Sequence, residues 1–77
     1  MSLKKRILER LRSLRRWCAR YEVESWARLW GYEGSTGARR ANELAKANKI
    51  HQKTVSQRTT HNGKVYLVKI AYFRIHV

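Results

Sequence analysis

Glycines are concentrated between residues 31 and 37, and this cluster constrains the fold of the chain more than any other feature. Three of the four glycines lie there: Gly31, Gly34 and Gly37. Glycine permits the backbone angles that a sharp turn between two helices requires. We therefore predict a helix containing Ser25–Trp30, a tight turn, and a second helix over Thr36–Ala47 with Ser35 as its N-cap.

The second predicted helix has an apolar side and a polar side. At about 100° per residue, the apolar side collects Ala38, Ala41, Leu44 and Ala45. The polar side carries residue types that bond to phosphates and base edges: Thr36, Arg39, Arg40, Asn42, Glu43 and Lys46. Asn48 suits the left-handed position just after the helix. The pattern is typical of a helix-turn-helix unit, although a solvated helix hairpin with no binding role would show it too.

The charge balance indicates the kind of partner. The 77 residues are enough for one small domain, which we place at 1–77, and they contain 18 Lys and Arg against 5 Asp and Glu, a formal charge of +13. So many positive charges repel one another in the folded state, so a polyanionic partner is the leading explanation for the excess of Lys and Arg. Nucleic acid comes first and an anionic membrane surface second. A basic protein that is merely soluble is the remaining interpretation.

The chain opens with an amphipathic pattern that predicts a long helix over Leu3–Arg20, capped by Ser2. Its apolar stripe contains Leu3, Ile7, Leu11, Leu14 and Cys18. Basic residues cover most of the rest, and we expect Arg12 and Arg16 to contact a phosphate backbone. Two other interpretations are an anionic membrane and a partner helix. Tyr21–Glu24 is then predicted to turn the chain toward the next helix, whose Trp26, Leu29 and Trp30 should pack in the core.

The single cysteine excludes an internal disulfide, which fits a reducing cytoplasm. Its place on the apolar stripe predicts a packed core thiol. No run of about 18 apolar residues is present to span a membrane, and the first residues lack the apolar segment of a signal peptide. We therefore expect a cytoplasmic protein that does not enter the membrane.

Residues after Asn48 change from a helical to an extended pattern. Lys53–Thr60 and Lys64–Arg74 are predicted strands, and Asn62-Gly63 between them is typical of a type I′ hairpin turn. That turn fixes the predicted cross-strand pairs as Thr59–Tyr66, Gln57–Val68, Val55–Ile70 and Lys53–Tyr72. The tip of the hairpin should place Arg58, His61 and Lys64 near phosphates.

Three helices followed by a hairpin with a basic tip is the order of a winged helix-turn-helix, and the chain resembles that DNA-binding family. The likeness is nearest to its small phage and prophage type. The matching residues are Ser35, Arg40, Glu43-Leu44, Asn48, His61-Asn62-Gly63-Lys64 and the initial MSLKKRILERL. The chain departs from the family in its longer glycine-rich turn, in Gly37 where a bulky apolar residue is common, and in Asn48 where glycine is usual. The resemblance implies an α+β fold of three helices with a C-terminal two-stranded hairpin wing.

The resemblance also implies which residues touch DNA. The helix from Ser35 would enter the major groove, and its contact residues would be Ser35, Thr36, Arg39, Arg40, Asn42, Glu43 and Lys46. The wing would contact backbone or minor groove through Arg58, His61, Asn62 and Lys64. Arg39 and Arg40 can each fork onto guanine or phosphate. Glu43 could accept from cytosine, but an i,i+4 pair with Arg39 is the favoured interpretation.

Catalysis and metal binding are not expected. The five carboxylates are scattered, and no nucleophile stands in a recognisable frame. The histidines and the cysteine lack the paired spacing of a zinc site, and no glycine pattern follows a strand to hold a nucleotide cofactor.

The sequence thus predicts a double-stranded DNA-binding protein, a transcriptional regulator or architectural factor of a phage or mobile element, in the cytoplasm or nucleoid of a bacterial host. The alternatives are an interaction protein or inhibitor whose basic face binds an acidic protein, and an RNA-binding accessory protein. A homodimer is compatible with any of these.

Overall fold

The computed structural model describes residues 2–76 as a mixed α+β unit. Its elements are α1 (Leu3–Leu14), β1 (Cys18–Ala19), α2 (Arg20–Leu29), α3 (Gly34–Lys46), β2 (Ile50–His61) and β3 (Lys64–Ile75). The strands form one antiparallel sheet in the order β1-β3-β2. Three helices before a hairpin match the prediction, whereas β1 was not predicted. Met1 and Val77, the ends of the predicted 1–77 domain, lie outside the described residues.

The first helix is shorter than predicted, because it ends at Leu14 and not at Arg20. Ser2 caps it as expected, its hydroxyl accepting the Lys5 N–H at 3.2 Å. Arg15 takes a left-handed conformation (φ 51°) and its N–H closes the last turn onto the Leu11 carbonyl. A left-handed residue at this position ends a helix.

Cys18 therefore lies in β1, opposite Phe73 of β3, and not on the apolar stripe of α1. Its side chain is still fully buried, so the predicted core thiol is confirmed. The apolar spacing appeared to continue past Leu14 because Cys18, a strand residue, faces the same core as the helix. Tyr21–Glu24 is not a turn either, since α2 begins at Arg20. The Glu22 carboxylate accepts the Ala19 N–H at 2.8 Å and so caps α2.

The joint between α2 and α3 spans residues 30–33. Gly31 supplies the positive φ, 89°, that this turn requires. The N-cap of α3 is Glu33, whose carbonyl accepts from Thr36 and Gly37 at 3.1 and 3.3 Å. The predicted cap at Ser35 is therefore wrong: Ser35 is an exposed residue of the first helical turn.

The core is built where α1, α2, α3 and the base of the hairpin meet. Its largest fully buried side chains are Phe73, Ile7, Leu11, Val23 and Cys18. Trp26 and Trp30 pack against this cluster as predicted. Leu29 does not, because it is 82% exposed on the side of α2 away from the Val23–Ala27 stripe. Among residues 2–76 no helix is both long and apolar enough to cross a membrane.

The hairpin has the predicted turn and register. Asn62 and Gly63 both have positive φ, 52° and 76°, and the pairs Thr59–Tyr66 and Lys53–Tyr72 form as expected. Asn48 also takes its predicted left-handed conformation, with φ 59°. The strands are longer than predicted. At the base of the hairpin, four residues pack on the core: Ile50, Ala71, Phe73 and Ile75. The outer half of the hairpin stands away from the helices, and most of its side chains are exposed.

Candidate nucleic-acid interface

One stripe of α3 faces outward along the whole helix. Ser35, Arg39 and Lys46 are exposed and Asn42 is half-buried, at spacings that place all four on one side. The opposite side, Ala38, Ala41 and Leu44, is buried. The predicted inner face is therefore confirmed. Of the predicted outer face only Arg39 and Lys46 are exposed, and the other four residues are half-buried: Thr36, Arg40, Asn42 and Glu43.

The other predicted contact residues of α3 lie on its flank toward α1. Arg40 donates to both carboxylate oxygens of Glu43, and Lys4 of α1 lies 3.2 Å from Glu43 Oε1. The hydrogen bonds from Arg40 and, to a lesser extent, Lys4 hold the pKa of the Glu43 carboxyl below its usual value. The predicted pair of Glu43 with Arg39 is therefore wrong, because Glu43 pairs with Arg40, three residues before it, and not with Arg39, four residues before it. Arg39 is thus the arginine of α3 that makes no ion pair among the described residues.

Asn42 joins α3 to the hairpin. Its Oδ1 accepts a hydrogen bond from Gln52 Nε2 at 3.2 Å. This contact fixes the side chain between the helix and the first part of β2. Thr36 lies one residue from the outer stripe and is half-buried.

The hairpin tip gathers the predicted wing residues. Arg58, His61, Asn62 and Lys64 are all exposed. No acidic residue follows Glu43 in the sequence, so the hairpin carries no carboxylate side chain. The tip is therefore a basic projection without internal neutralisation.

The two predicted backbone contacts near the N-terminus have different surroundings. Arg12 is exposed in the last turn of α1, whereas Arg16 lies beyond that helix, which corrects its predicted placement. The Arg16 guanidinium bonds both oxygens of Glu22, at 3.1 and 2.9 Å, and the Trp17 carbonyl at 3.2 Å. This bond from Arg16, helped by the Ala19 N–H, lowers the pKa of Glu22. Arg16 thus fastens the loop after α1 to α2, and its contact with phosphate stays a prediction.

Sequence reasoning missed how the basic residues of α1 pack on the tryptophans of α2. The Arg6 guanidinium carbon lies 5.7 Å from the Trp30 ring centroid, and that of Arg10 lies 5.7 Å from Trp26. Both distances are within cation–π range. A signal for these contacts was present in the sequence, because Arg6 and Arg10 are four residues apart and so are Trp26 and Trp30. Equal spacing lets the two pairs meet when neighbouring helices run in opposite directions.

The structure gathers no metal-binding group of three or more His, Cys, Asp or Glu within residues 2–76. The side chains of His51 and His76 do meet, with ring nitrogens 2.8 Å apart. Burial raises the pKa of the Cys18 thiol, although the nearby Arg16 charge opposes this. The thiol is thus packed and unreactive.

Comparisons with protein-family models, with curated proteins and with solved structures found no match for this chain.

Proposed function

We propose that the protein binds double-stranded DNA as a winged helix-turn-helix, with α3 in the major groove and the hairpin along the neighbouring backbone or minor groove. The observation that carries this proposal is the outward stripe of α3: Ser35, Arg39, Asn42 and Lys46. These side chains can bond base edges and phosphates, and no carboxylate lies among them. A role as a transcriptional regulator or architectural factor in a bacterial cell infected by a phage or carrying a mobile element would follow.

The joint between α2 and α3 supports the proposal. Its length, residues 30–33, and its glycine at positive φ suit the short turn of a helix-turn-helix. Gly37 lets α3 approach α2 so closely that a Cβ there would lie 2.6 Å from the Ala27 Cβ. The two helices are thus firmly packed, and α3 is presented on a rigid support.

The dimensions also suit a duplex. The 13 residues of α3 make a helix about 20 Å long, and an α-helix fits a major groove about 12 Å wide. Each hairpin strand has 12 residues, about 40 Å at the usual rise per residue, so the tip projects well beyond the core. Arg58 and Lys64 can therefore reach phosphates at a distance from the helix.

The distribution of charge favours a polyanion. Ion pairs among the described residues involve only Lys4, Arg16, Arg20 and Arg40 of the 18 basic residues. The others keep their charge available, and each phosphate that they neutralise releases counterions.

Selection of duplexes from a random DNA pool, followed by salt titrations, tests the proposal. Affinity for the selected duplex should exceed that for a scrambled duplex by about a thousandfold, and both should weaken steeply with salt. Duplex RNA should bind less well, because its deep, narrow major groove does not admit a helix. Equal binding to both DNA duplexes, RNA and heparin would indicate a general polyanion binder. Absence of duplex binding at low salt would refute the proposal.

A second candidate function, binding to an acidic protein, is favoured by apolar residues on the outer hairpin. Leu67 is 74% exposed and Val65 is 64% exposed. Apolar side chains such as these have no role in contacts with phosphates. Exposed apolar side chains are common in protein interfaces. Leu67→Lys should leave duplex affinity unchanged or higher if DNA is the partner. A protein partner would bind this variant more weakly.

A further inference from the structure

A cavity of about 370 Å³ lies between the end of α1 and the end of β3, and no residue of the outward stripe of α3 lines it. It is lined by Arg12, Arg15, Arg74, Ile75 and His76. Three arginines thus line one space, and no carboxylate side chain lines it.

Two parts of the fold, the end of α1 and the end of β3, position these side chains. Arg12 is in the last turn of α1 and Arg15 is its left-handed C-cap, so the three-residue spacing puts both on one side of the helix end. Arg74 follows the buried Phe73 on β3. His76 is fixed by the Asn48 carbonyl, 2.9 Å from its Nε2, and by His51.

Arg74 is the least exposed of the three arginines, and its Nε is buried without a hydrogen-bond partner among the described residues. None of the three arginines makes an ion pair in residues 2–76. The cavity therefore brings three positive charges to one place, and no carboxylate among its lining residues neutralises them.

We propose that this cavity binds a phosphate group, with Arg12, Arg15 and Arg74 as its donors. Guanidinium groups match the oxygens of phosphate in pairs, and a dianion is better suited than a single carboxylate to three positive charges. The volume is near the lower end for small-molecule sites, about 300–1,000 Å³, so a group attached to the phosphate also fits. The phosphate can belong to a small ester or to a nucleic-acid backbone. The site does not depend on the proposed reading of DNA by α3.

Thermal melting in inorganic phosphate, against sodium chloride of equal ionic strength, tests the site without DNA. Phosphate should raise Tm in a saturable manner. Arg12→Gln and Arg74→Gln should weaken this binding by about tenfold or more, as expected for loss of a charge-assisted hydrogen bond. Arg28→Gln, at an exposed arginine of α2 that does not line the cavity, is the matched control and should bind phosphate like the unmodified protein.

If Arg74→Gln does not fold, Arg12→Gln and Arg15→Gln decide the matter, because both side chains are exposed. An equal rise of Tm in chloride, or equal phosphate binding by Arg12→Gln and Arg28→Gln, would overturn the proposal. Titration of phosphate into the protein–duplex complex then identifies the source. If phosphate releases the duplex, and sodium chloride of equal ionic strength does not, the cavity holds a backbone phosphate of the DNA. If the protein binds the duplex and inorganic phosphate at the same time, the cavity holds the phosphate of a small ester.

Discussion

Gly37 is the residue at which α2 and α3 come closest. A Cβ added there would lie 2.6 Å from the Ala27 Cβ and 3.1 Å from the Val23 carbonyl oxygen, and neither neighbour is the end of a flexible chain. We expect Gly37→Ala to lower the free energy of unfolding by about 1–3 kcal/mol, because the helices must separate despite the higher helix propensity of alanine. Chemical denaturation measures the change.

Gly34 offers a matched control three residues away. A Cβ there would meet only the Arg28 guanidinium, 2.8 Å from Nη2, which can move aside. Gly34→Ala should therefore lower the free energy of unfolding by less than about 0.5 kcal/mol. It can also raise it, because alanine has the higher helix propensity. Similar losses for the two variants would contradict close packing at Gly37.

Arg39 and Arg40 are neighbours in sequence but differ in what holds them. Arg40 is bound to Glu43, and Arg39 is exposed on the outward stripe. Arg39→Ala should reduce the preference for a selected duplex over a scrambled one by about 1–3 kcal/mol, because a bidentate arginine–guanine contact discriminates between bases. Arg40→Ala should change this preference less. Fluorescence anisotropy titrations of both duplexes provide the comparison, and an equal loss on both duplexes for Arg39→Ala would mean that α3 does not read bases.

The sequence predicted some of these residues well and others not at all. Asn62, Gly63 and Asn48 were predictable because positive φ depends on the residue itself and its immediate neighbours. The contact of Lys4 with Glu43 was not, since it depends on where α1 lies against α3. Within α3 the spacing allows Glu43 to pair with Arg39 or with Arg40, and the structure has the Arg40 pair. The phosphate cavity was missed for the same reason: Arg12 and Arg74 are far apart in sequence and meet only in the folded chain.

The hairpin turn controls the register of both long strands. Gly63 has φ 76°, where a β-branched residue is strained, so Gly63→Val should destabilise the hairpin by about 1–3 kcal/mol. Thermal melting followed by circular dichroism measures this loss. An unchanged melt would be inconsistent with the type I′ turn.

Lys64, the next residue, serves as the comparison. Its side chain is exposed and makes no ion pair in residues 2–76. Lys64→Ala should keep the melt of the unmodified protein and lower affinity for selected and scrambled duplexes by the same factor. A change in sequence preference would place the tip against bases instead of phosphates.

Strand β1 shows how the elements differed in predictability. Cys18 and Ala19 form too short a strand to have a pattern of their own, and their pairing with Phe73 and Tyr72 comes from the far end of the chain. The hairpin was predictable because its two strands are adjacent and joined by a recognisable turn. The end of α1 was missed because Arg15 is left-handed without being Gly or Asn, the residues that usually announce such a stop.

The stability of the whole protein should fall in acid partly through Glu22. Its folded-state pKa is lowered from an ordinary value near 4.5 by Arg16 and by the Ala19 N–H, so its contribution is present above that value and is lost as pH falls through the folded-state pKa. Glu22→Gln should lower the free energy of unfolding by about 1 kcal/mol at neutral pH and by much less in acid, below the folded-state pKa of Glu22. Denaturation curves at several pH values measure how the stability difference between Glu22→Gln and the unmodified protein decreases in acid. Glu9→Gln, at an exposed residue without an ion pair among those described, should show little difference at any pH.

The outer half of the hairpin depends on its own cross-strand bonds, since the helices pack only against the base. A two-stranded ribbon without such support is marginally stable in water, so its outer pairs should open while the core remains folded. Amide hydrogen exchange should therefore be fast from Ser56 to Lys69 and slow near Phe73. Uniform protection along both strands would show that the ribbon opens only together with the core. Under the proposed function, a hairpin that opens in this way would follow grooves of different width. The protein would then tolerate variation in duplex shape beside the bases that α3 is proposed to contact.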